Sequence, residues 1–423
     1  MSEQAYRFVS MNASGPACLL NGKELSYEQI RDSLDRSKHL LHSDEVVFLK
    51  GARSLDFIVE ILRCLEFNIP VCVYPDSFSS IEIQNLEQKI DKEKLHTNCS
   101  LMLLTSGSSG ESKIVQLSLK NIETSIKAIS GCLKFEDISS QVLFLPFSYS
   151  FGLIGQLLPA IKLGKKTILI DHLIRLKDSM RQYTPEMISG VPSHHKAIIK
   201  VLDKNECLGI THVISAGAPL DIALRKEMLG FYPSTTEIFN NYGQTELSPR
   251  ALILSSQDKH FLQGGVGRVV PGLEARLSED NEIEFKGEQV MLGYVGQGEV
   301  FDNKTWLNTK DRARKIDDVF YIEGRTDNLI KIRGVRVSLD EIENELKEKL
   351  MINEAKILVS SDDDSEKYGV FFYQGKNTQE SIREFISENK RFNIIRKIVK
   401  LDGFPLNTNG KINKAALRAL IKS

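Results

Sequence analysis

The most chemically suggestive stretch of this 423-residue chain is LMLLTSGSSGESK, residues 101–113. Four apolar residues run straight into nine residues, seven of them Thr, Ser or Gly, that end at Lys113. Small residues let backbone N–H groups approach phosphate oxygens. The hydroxyls of Thr105, Ser106, Ser108 and Ser109 add donors, Gly107 adds freedom, and Lys113 adds charge. A flexible linker has the same composition, but a linker does not normally follow a buried strand inside an α/β layer. The spacing is not GxxxxGK[ST], because Gly107 and Lys113 are wrongly separated and Ile114 follows the lysine; nor is it the dinucleotide fingerprint. Other polar residues say less by themselves. YGQTE (242–246) reads as a loop ending in a helix cap, Asp311 as a turn residue and Lys411 as a surface lysine. His194 and His195 read as the start of a helix or as readers of a polar group on a ligand.

The elements around these residues alternate. CLLNGKELS turns at Asn21-Gly22 as a hairpin. Ser26 and Gln29 open a capped helix carrying Ile30, Leu34 and Leu41. VVFLK (46–50) reads as a buried strand, 54–66 as a helix and VCVYP (71–75) as a strand. LMLL, VLFLP (142–146), TILI (167–170), HVISA (212–216) and EIFN (237–240) continue the strands, with helices predicted over 118–130, 152–163, 193–203 and 220–229. Strand, helix, strand at this spacing predicts a parallel sheet with helical layers. Short strands rich in Gly and charge fill 265–325. After Asp327 come a strand (IKIRGVRV), a helix from Ser338, a strand (AKILVS), an acidic turn, a strand (YGVFFY), a further helix and a tail. The expected fold class is α/β: a large N-terminal domain of layered α/β subdomains with a β-rich subdomain, residues 1–326, and a small mobile C-terminal α+β domain, residues 327–423.

Composition narrows the class of function. Lys+Arg (55) nearly balance Asp+Glu (56), so nothing global points to nucleic acid or to an anionic membrane surface. The six cysteines are scattered without a CxxC pair, which argues for free buried thiols rather than disulfides or structural zinc. MSEQAYRFVS lacks the basic and apolar regions of a signal peptide, and no run of about 18 apolar residues predicts a membrane span. The expected location is the cytoplasm.

The loop at 105–113 resembles the Thr/Ser/Gly-rich phosphate loop of the adenylate-forming superfamily: acyl-CoA synthetases, peptide-synthetase adenylation domains and luciferases. SAGAP (215–219), NNYGQTE (240–246), GVGRVVPG (265–272), VMLGY (290–294), LNTKD (307–311), EGRTDNLIKIRGVRVSLDEIE (323–343) and PLNTNGKINK (405–414) follow in that superfamily's order. The resemblance covers essentially the whole chain and identifies it as a compact stand-alone member. It implies that Thr105, Ser106, Gly107, Ser108, Ser109 and Lys113 hold the β- and γ-phosphates of ATP. Gly217, Ala218 and Pro219 would line the adenine, with Tyr242 stacked on it and Asn241 its polar neighbour. Thr245 and Glu246 would sit by the α-phosphate, with Glu246 on Mg²⁺. Asp311 and Arg325 would bind the ribose. Lys411 would be the catalytic lysine of adenylation, Asp327 the hinge of a domain rotation, and Gly334 the loop presented in the second half-reaction.

Departures from the superfamily bear on the substrate. In PFSYSFG, Tyr149 stands where acyl-CoA synthetases often have His. Ser150 stands where amino-acid-activating members have an Asp to pair the ammonium, which disfavours an α-amino acid. Lys310 replaces the usual Gly before the ribose Asp, and Ser112 replaces a Pro before Lys113. The acid pocket is expected to be lined by Tyr149, Ser150, Phe151 and Gly152, by Val191, His194 and His195, and by Ser215, Ala216 and Asn240. That set suits an aromatic or short functionalised acid better than a long alkyl chain. The resulting expectation is ATP-dependent activation of a carboxylic acid, then acyl transfer to a thiol of CoA or of the phosphopantetheine on a separate carrier protein. The alternatives are an amino-acid adenylation enzyme and a non-catalytic nucleotide-binding protein. Retention of Lys113, Glu246, Asp311, Arg325 and Lys411 argues against the last.

Overall fold

The computed structural model describes residues 6–37, 45–90, 95–105, 113–326, 329–332, 335–361, 367–389, 392–407 and 410–422, without the side chains of 329–332, 335–338, 341, 361, 367 and 422. Leu41, Ser106–Ser109, Ser112, Asp327 and Gly334 therefore lie outside the described residues. The fold is α/β, as expected. The chain divides into two compact units. Unit 1 is Met1–Arg276 with Glu284–Asn308 and Lys315–Tyr321, and unit 2 is Leu277–Ile283, Thr309–Arg314 and Ile322–Ser423.

Unit 1 is built on two sheets. Among the described residues the larger has nine strands. Its centre is parallel: Pro16–Leu20, Lys166–Leu169, Ser140–Leu143, Met187–Gly190, His212–Ala216 and Glu237–Tyr242 lie side by side in that order. Antiparallel strands flank it at both edges. One edge is the Asn21-Gly22 hairpin, whose two turn residues have φ of 51° and 78°, the conformation that favours Asn-Gly. Residues after the carboxyl ends of the central strands are where ligands bind in such sheets. These are the places where the sequence puts Val191, Gly217 and Tyr242.

The second sheet of unit 1 orders Gly293–Tyr294, Lys113–Leu117, Leu101–Thr105, Val71–Tyr74 and Val47–Lys50. The strand Lys113–Leu117 was not anticipated; its apolar run is only IVQL, squeezed between Lys113 and the Ser118 helix cap. It pairs antiparallel with Leu101–Thr105, placing Thr105 opposite Lys113. Val47–Lys50, expected to be buried, is an edge strand and only half-buried. The predicted helix over 152–163 is a composite: a short α turn Ser150–Gly152, a π turn Leu153–Leu157 and an α turn Leu158–Lys162. Wide turns of this kind recur at functional sites. Five of the six cysteines are buried and all six are free.

A four-stranded sheet orders Leu273–Leu277, Glu282–Gly287, Leu307–Ile316 and Val319–Arg325. Within unit 2, IKIRGVRV is a hairpin rather than one strand: Leu329–Ile332 pairs antiparallel with Val335–Ser338. The helix Leu339–Lys349 and the strands Glu354–Ser361, Lys367–Gln374 and Ile395–Lys400 follow. Their core includes Ile342, Leu346, Ile357, Phe371 and Tyr373, all buried. The expected tail contains this last strand and the helix Lys414–Lys422. No helix among the described residues is long and apolar enough to cross a membrane.

Candidate active site

In unit 1, two groups of the sequence-predicted residues assemble. The first lies where the strand Leu101–Thr105 runs out and Lys113 begins the return strand. Lys113 Nζ sits 4.5 Å from the centre of the Tyr294 ring. The Tyr294 hydroxyl donates to Glu246 Oε1 at 3.0 Å. Glu246 belongs to a single 3-10 turn, Thr245–Leu247, just after the strand that ends at Tyr242. Its backbone carbonyl accepts from the Met291 N–H at 2.9 Å. Tyr242 is half-buried, its ring 6.4 Å from that of Phe285. One carboxylate is a sparse donor set for a metal, and no cluster of three or more His, Cys, Asp or Glu among the described residues could hold one. A lone hard oxygen ligand fits a magnesium ion that otherwise keeps water and phosphate oxygens.

The second group is drier. Ser150, Phe151, Gly152, Val191, His195, Ser215, Ala216 and Asn240 are buried. Gly217 has φ of +83°, and a Cβ there would collide with the Tyr149 hydroxyl, so SAGAP and PFSYSFG meet at that glycine. The Ser150 hydroxyl lies 3.1 Å from the Thr245 hydroxyl and joins this group to the first. His195 Nε2 lies 3.0 Å from the Ile214 carbonyl and so donates to it. His194 Nδ1 accepts from the Val191 N–H at 3.3 Å, and its ring meets Phe144 edge-on at 5.0 Å. Burial pushes both imidazoles down to about 4, helped at His194 by the charge of Arg53 and at His195 by its histidine neighbour. Both are therefore neutral near pH 7. His195 thus lies in the first turn of the helix Pro192–Val201, as the sequence suggests, and is fully buried there.

Three arginines of unit 1 went unnoticed in the sequence. Arg250, four residues after Glu246, is 2% exposed. Its guanidinium carbon lies 4.3 Å from the centre of the Phe151 ring. In the orientation that satisfies its amide, Asn241 accepts from Arg250 Nη1 at 3.1 Å and Nε at 3.3 Å and donates to the Asn240 carbonyl. Burial lowers Arg250 to about 9, yet it remains a cation at pH 7. Arg225 is also buried and donates to the carbonyls of Leu220, Phe261 and Gly265, tying the segment after Gly217-Ala218-Pro219 to the GVG turn. Arg53 donates to the carbonyls of Phe144 and Asp171. The available signal for Arg250 was a lone arginine directly before the apolar run ALIL.

In unit 2, Arg325 Nη1 donates to Asp311 Oδ1 at 3.2 Å. Asp311 is buried, and its N–H donates to Thr309 Oγ1. Lys310 has φ of +62°, the left-handed region in which glycine is preferred, and its ammonium pairs with Glu282 at 3.3 Å. The lysine thus keeps the backbone shape of the usual glycine at a cost of about 1 kcal/mol. Lys411 leaves a tight turn: its N–H donates to Asn407 Oδ1 at 2.9 Å, and Asn407 N–H donates back to the Lys411 carbonyl at 2.8 Å.

The sequence profile of the AMP-binding enzyme family matches residues 10–295. The chain belongs to that family, within the adenylate-forming superfamily. It is 26% identical over 353 residues to 4-coumarate–CoA ligase 1 of Petroselinum crispum, covering 75% of this chain and 64% of that relative. The chain thus spans somewhat under two thirds of that ligase's length. Its fold is similar to that of ATP-bound MatB from Rhodopseudomonas palustris, with a TM-score of 0.84 at 18% identity over 98% of this chain and 97% of that one. It is similar also to o-succinylbenzoate CoA synthetase (MenE) from Bacillus subtilis bound to its acyl-adenylate intermediate, with a TM-score of 0.78 at 18% identity over 98% and 96%.

Proposed function

We propose that the protein activates a carboxylic acid with ATP, forming an acyl-adenylate and pyrophosphate, and then transfers the acyl group to the thiol of CoA or of a carrier protein's phosphopantetheine. The observation that carries this reading is that Tyr294 takes the Lys113 ammonium on its ring and donates its hydroxyl to Glu246, in the unit that also buries Ser150, Phe151 and the neutral His195. Residues 105–113 would cradle the β- and γ-phosphates. Gly217, Ala218, Pro219 and Tyr242 would hold the adenine, and Asp311 with Arg325 the ribose. Bound magnesium would neutralise phosphate charge, held by Glu246 beside Thr245. Lys411 would reach the α-phosphate and the attacking carboxylate as charge builds in the transition state, the moment at which a fixed ammonium contributes most.

The substrate reading is a non-amino acid, aromatic or short and functionalised. Support comes from the absence of a carboxylate at Ser150, from the buried Phe151 and half-buried Tyr149, and from two neutral histidines. The names of the relatives, a coumarate ligase and an o-succinylbenzoate synthetase, point the same way. In this reading 327–423 is a mobile domain that pivots at Asp327 and presents Gly334 in the thioester step, and the enzyme works in the cytoplasm. The test is ATP–pyrophosphate exchange across aromatic, short-chain, long-chain and amino acids, followed by thioester assays with CoA and with a phosphopantetheinylated carrier. Exchange with aromatic or short acids and not with amino acids is the expected result. Exchange with amino acids alone overturns the substrate reading, and exchange with no acid overturns adenylation.

A further inference from the structure

The segment VMLGY carries a residue to which nothing above gives a task. Tyr294 donates its hydroxyl to Glu246 Oε1 at 3.0 Å and offers its ring face to the Lys113 ammonium at 4.5 Å. We infer that Tyr294 is the positioning residue of the polyphosphate end, holding the Glu246 carboxylate and the Lys113 ammonium apart so that both can engage a magnesium-bound polyphosphate. This rests on the nucleotide reading above and deepens it.

The physical argument is one of charge. Two opposite charges in neighbouring segments with nothing between them close into an ion pair, and a ligand must then break that pair before either group can serve it. An aromatic face holds an ammonium through its quadrupole, while the phenol edge donates to a carboxylate. One side chain therefore satisfies both signs at once and keeps them from each other. Neither interaction competes strongly with a polyphosphate and its cation.

The backbone fixes Tyr294 in this place independently of its side chain. Gly293 and Tyr294 pair antiparallel with Gln116 and Val115 of the Lys113–Leu117 strand. Leu292 N–H donates to the Gln116 carbonyl and Val295 N–H to the Ile114 carbonyl, each at 2.9 Å. Met291 N–H donates to the carbonyl of Glu246 itself at 2.9 Å. Gly293 has φ of +144°, and a Cβ there would come within 2.5 Å of the Glu299 carbonyl oxygen, so the approach depends on glycine. The segment bridges the strand of Lys113 and the turn of Glu246, and a change of side chain at 294 leaves that bridge in place.

The test is calorimetric titration of ATP into the full chain with and without Mg²⁺, for wild type, Tyr294→Phe and Tyr294→Leu. Phe keeps the ring and loses the hydroxyl. It should bind magnesium-free ATP like wild type and MgATP about tenfold more weakly, the loss typical of a hydrogen bond to a charged group. Leu loses both features and should weaken ATP binding with and without the metal. Thermal melts of the three proteins monitor the fold. MgATP binding by Tyr294→Phe at wild-type strength overturns the inference, and so does an equal loss with and without Mg²⁺. Wild type that binds MgATP but exchanges pyrophosphate with no acid would sink the adenylation reading alone. Wild type that binds no ATP in either condition would sink both.

Discussion

The two ends of the unit 1 site are made of opposite materials. At the phosphate end, Lys113, Tyr242, Thr245, Glu246 and Tyr294 are half-buried or exposed, and their charges already have partners. At the acid end the side chains are largely buried, the histidines are neutral, and several polar atoms are left over. His195 Nδ1, Ser215 Oγ and Arg250 Nη2 are buried without a hydrogen-bond partner among the described residues. The difference bears on how the proposed reaction would bring two anions to one unit. Polyphosphate would be met by partly solvated charges that rearrange cheaply. The acid proposed as substrate would enter a region desolvated in advance, where burial keeps His194 and His195 neutral while Arg250 stays charged.

The sharpest test of this contrast is Lys411→Ala. If a mobile ammonium must join the two ends in the adenylation transition state, exchange of pyrophosphate should fall by about 10²–10³, the usual cost of one preorganised charge contact. Thioester formation from synthetic acyl-adenylate should stay near normal, measured in a single-turnover assay. Equal losses in both steps would place Lys411 in structure rather than in chemistry.

Gly217→Ala probes the junction of Tyr149 with the segment proposed to hold the adenine. The added methyl meets the Tyr149 hydroxyl at a backbone angle that disfavours a side chain. Strain and overpacking of about 1–3 kcal/mol should raise the acid KM by roughly one to two orders of magnitude. Calorimetric affinity for MgATP should fall less. A variant that loses ATP and acid binding equally would dissolve the distinction between the two ends.

Neutral histidines make the acid end sensitive to acid. His195 is held near 4 in the folded protein, against an ordinary value of 6.5. Below pH 6.5 the unfolded chain takes up a proton that the folded one refuses, so stability is complete above 6.5 and declines as pH falls towards 4. The shift corresponds to about 3 kcal/mol at the bottom of that window. Urea unfolding of His195→Gln should show a shallower decline between pH 6.5 and 4 than wild type. Parallel curves would mean that His195 is not the group responsible. The smallest effect belongs to Ser150→Ala, which removes the hydroxyl shared with Thr245. A net hydrogen bond of about 0.5–1.5 kcal/mol predicts a decrease of kcat of roughly two- to tenfold with acid KM unchanged. A change in KM alone would make Ser150 a substrate contact instead.

Of the residues proposed to hold polyphosphate, the Ser/Gly run after the strand Leu101–Thr105 is visible within thirteen letters of sequence because it is local and chemically unusual. The Asn21-Gly22 turn was legible for the same local reason. Tyr294 was not, since its task arises from antiparallel pairing with a strand nearly 180 residues earlier, and that strand was itself hidden in IVQL. Arg250 and the π turn Leu153–Leu157 escaped because burial and helix pitch are settled by packing, which no window of sequence contains. IKIRGVRV reads as one strand because both halves alternate, although the apolar positions change phase, from 330 and 332 to 335 and 337.

The placement of the thiols has a practical consequence. All six cysteines precede residue 208, so unit 2 contains none. Burial pushes Cys18, Cys64, Cys99 and Cys207 to about 12 and raises Cys72 as well. In the native protein these sulfurs are neither ionised nor reachable, so an alkylating reagent must wait for the chain to open. Only half-buried Cys132 supplies a background. A timed pulse of reagent therefore clocks the breathing of unit 1 and is blind to unit 2. The chain carries its own stopwatch for one of its two parts, with no label added.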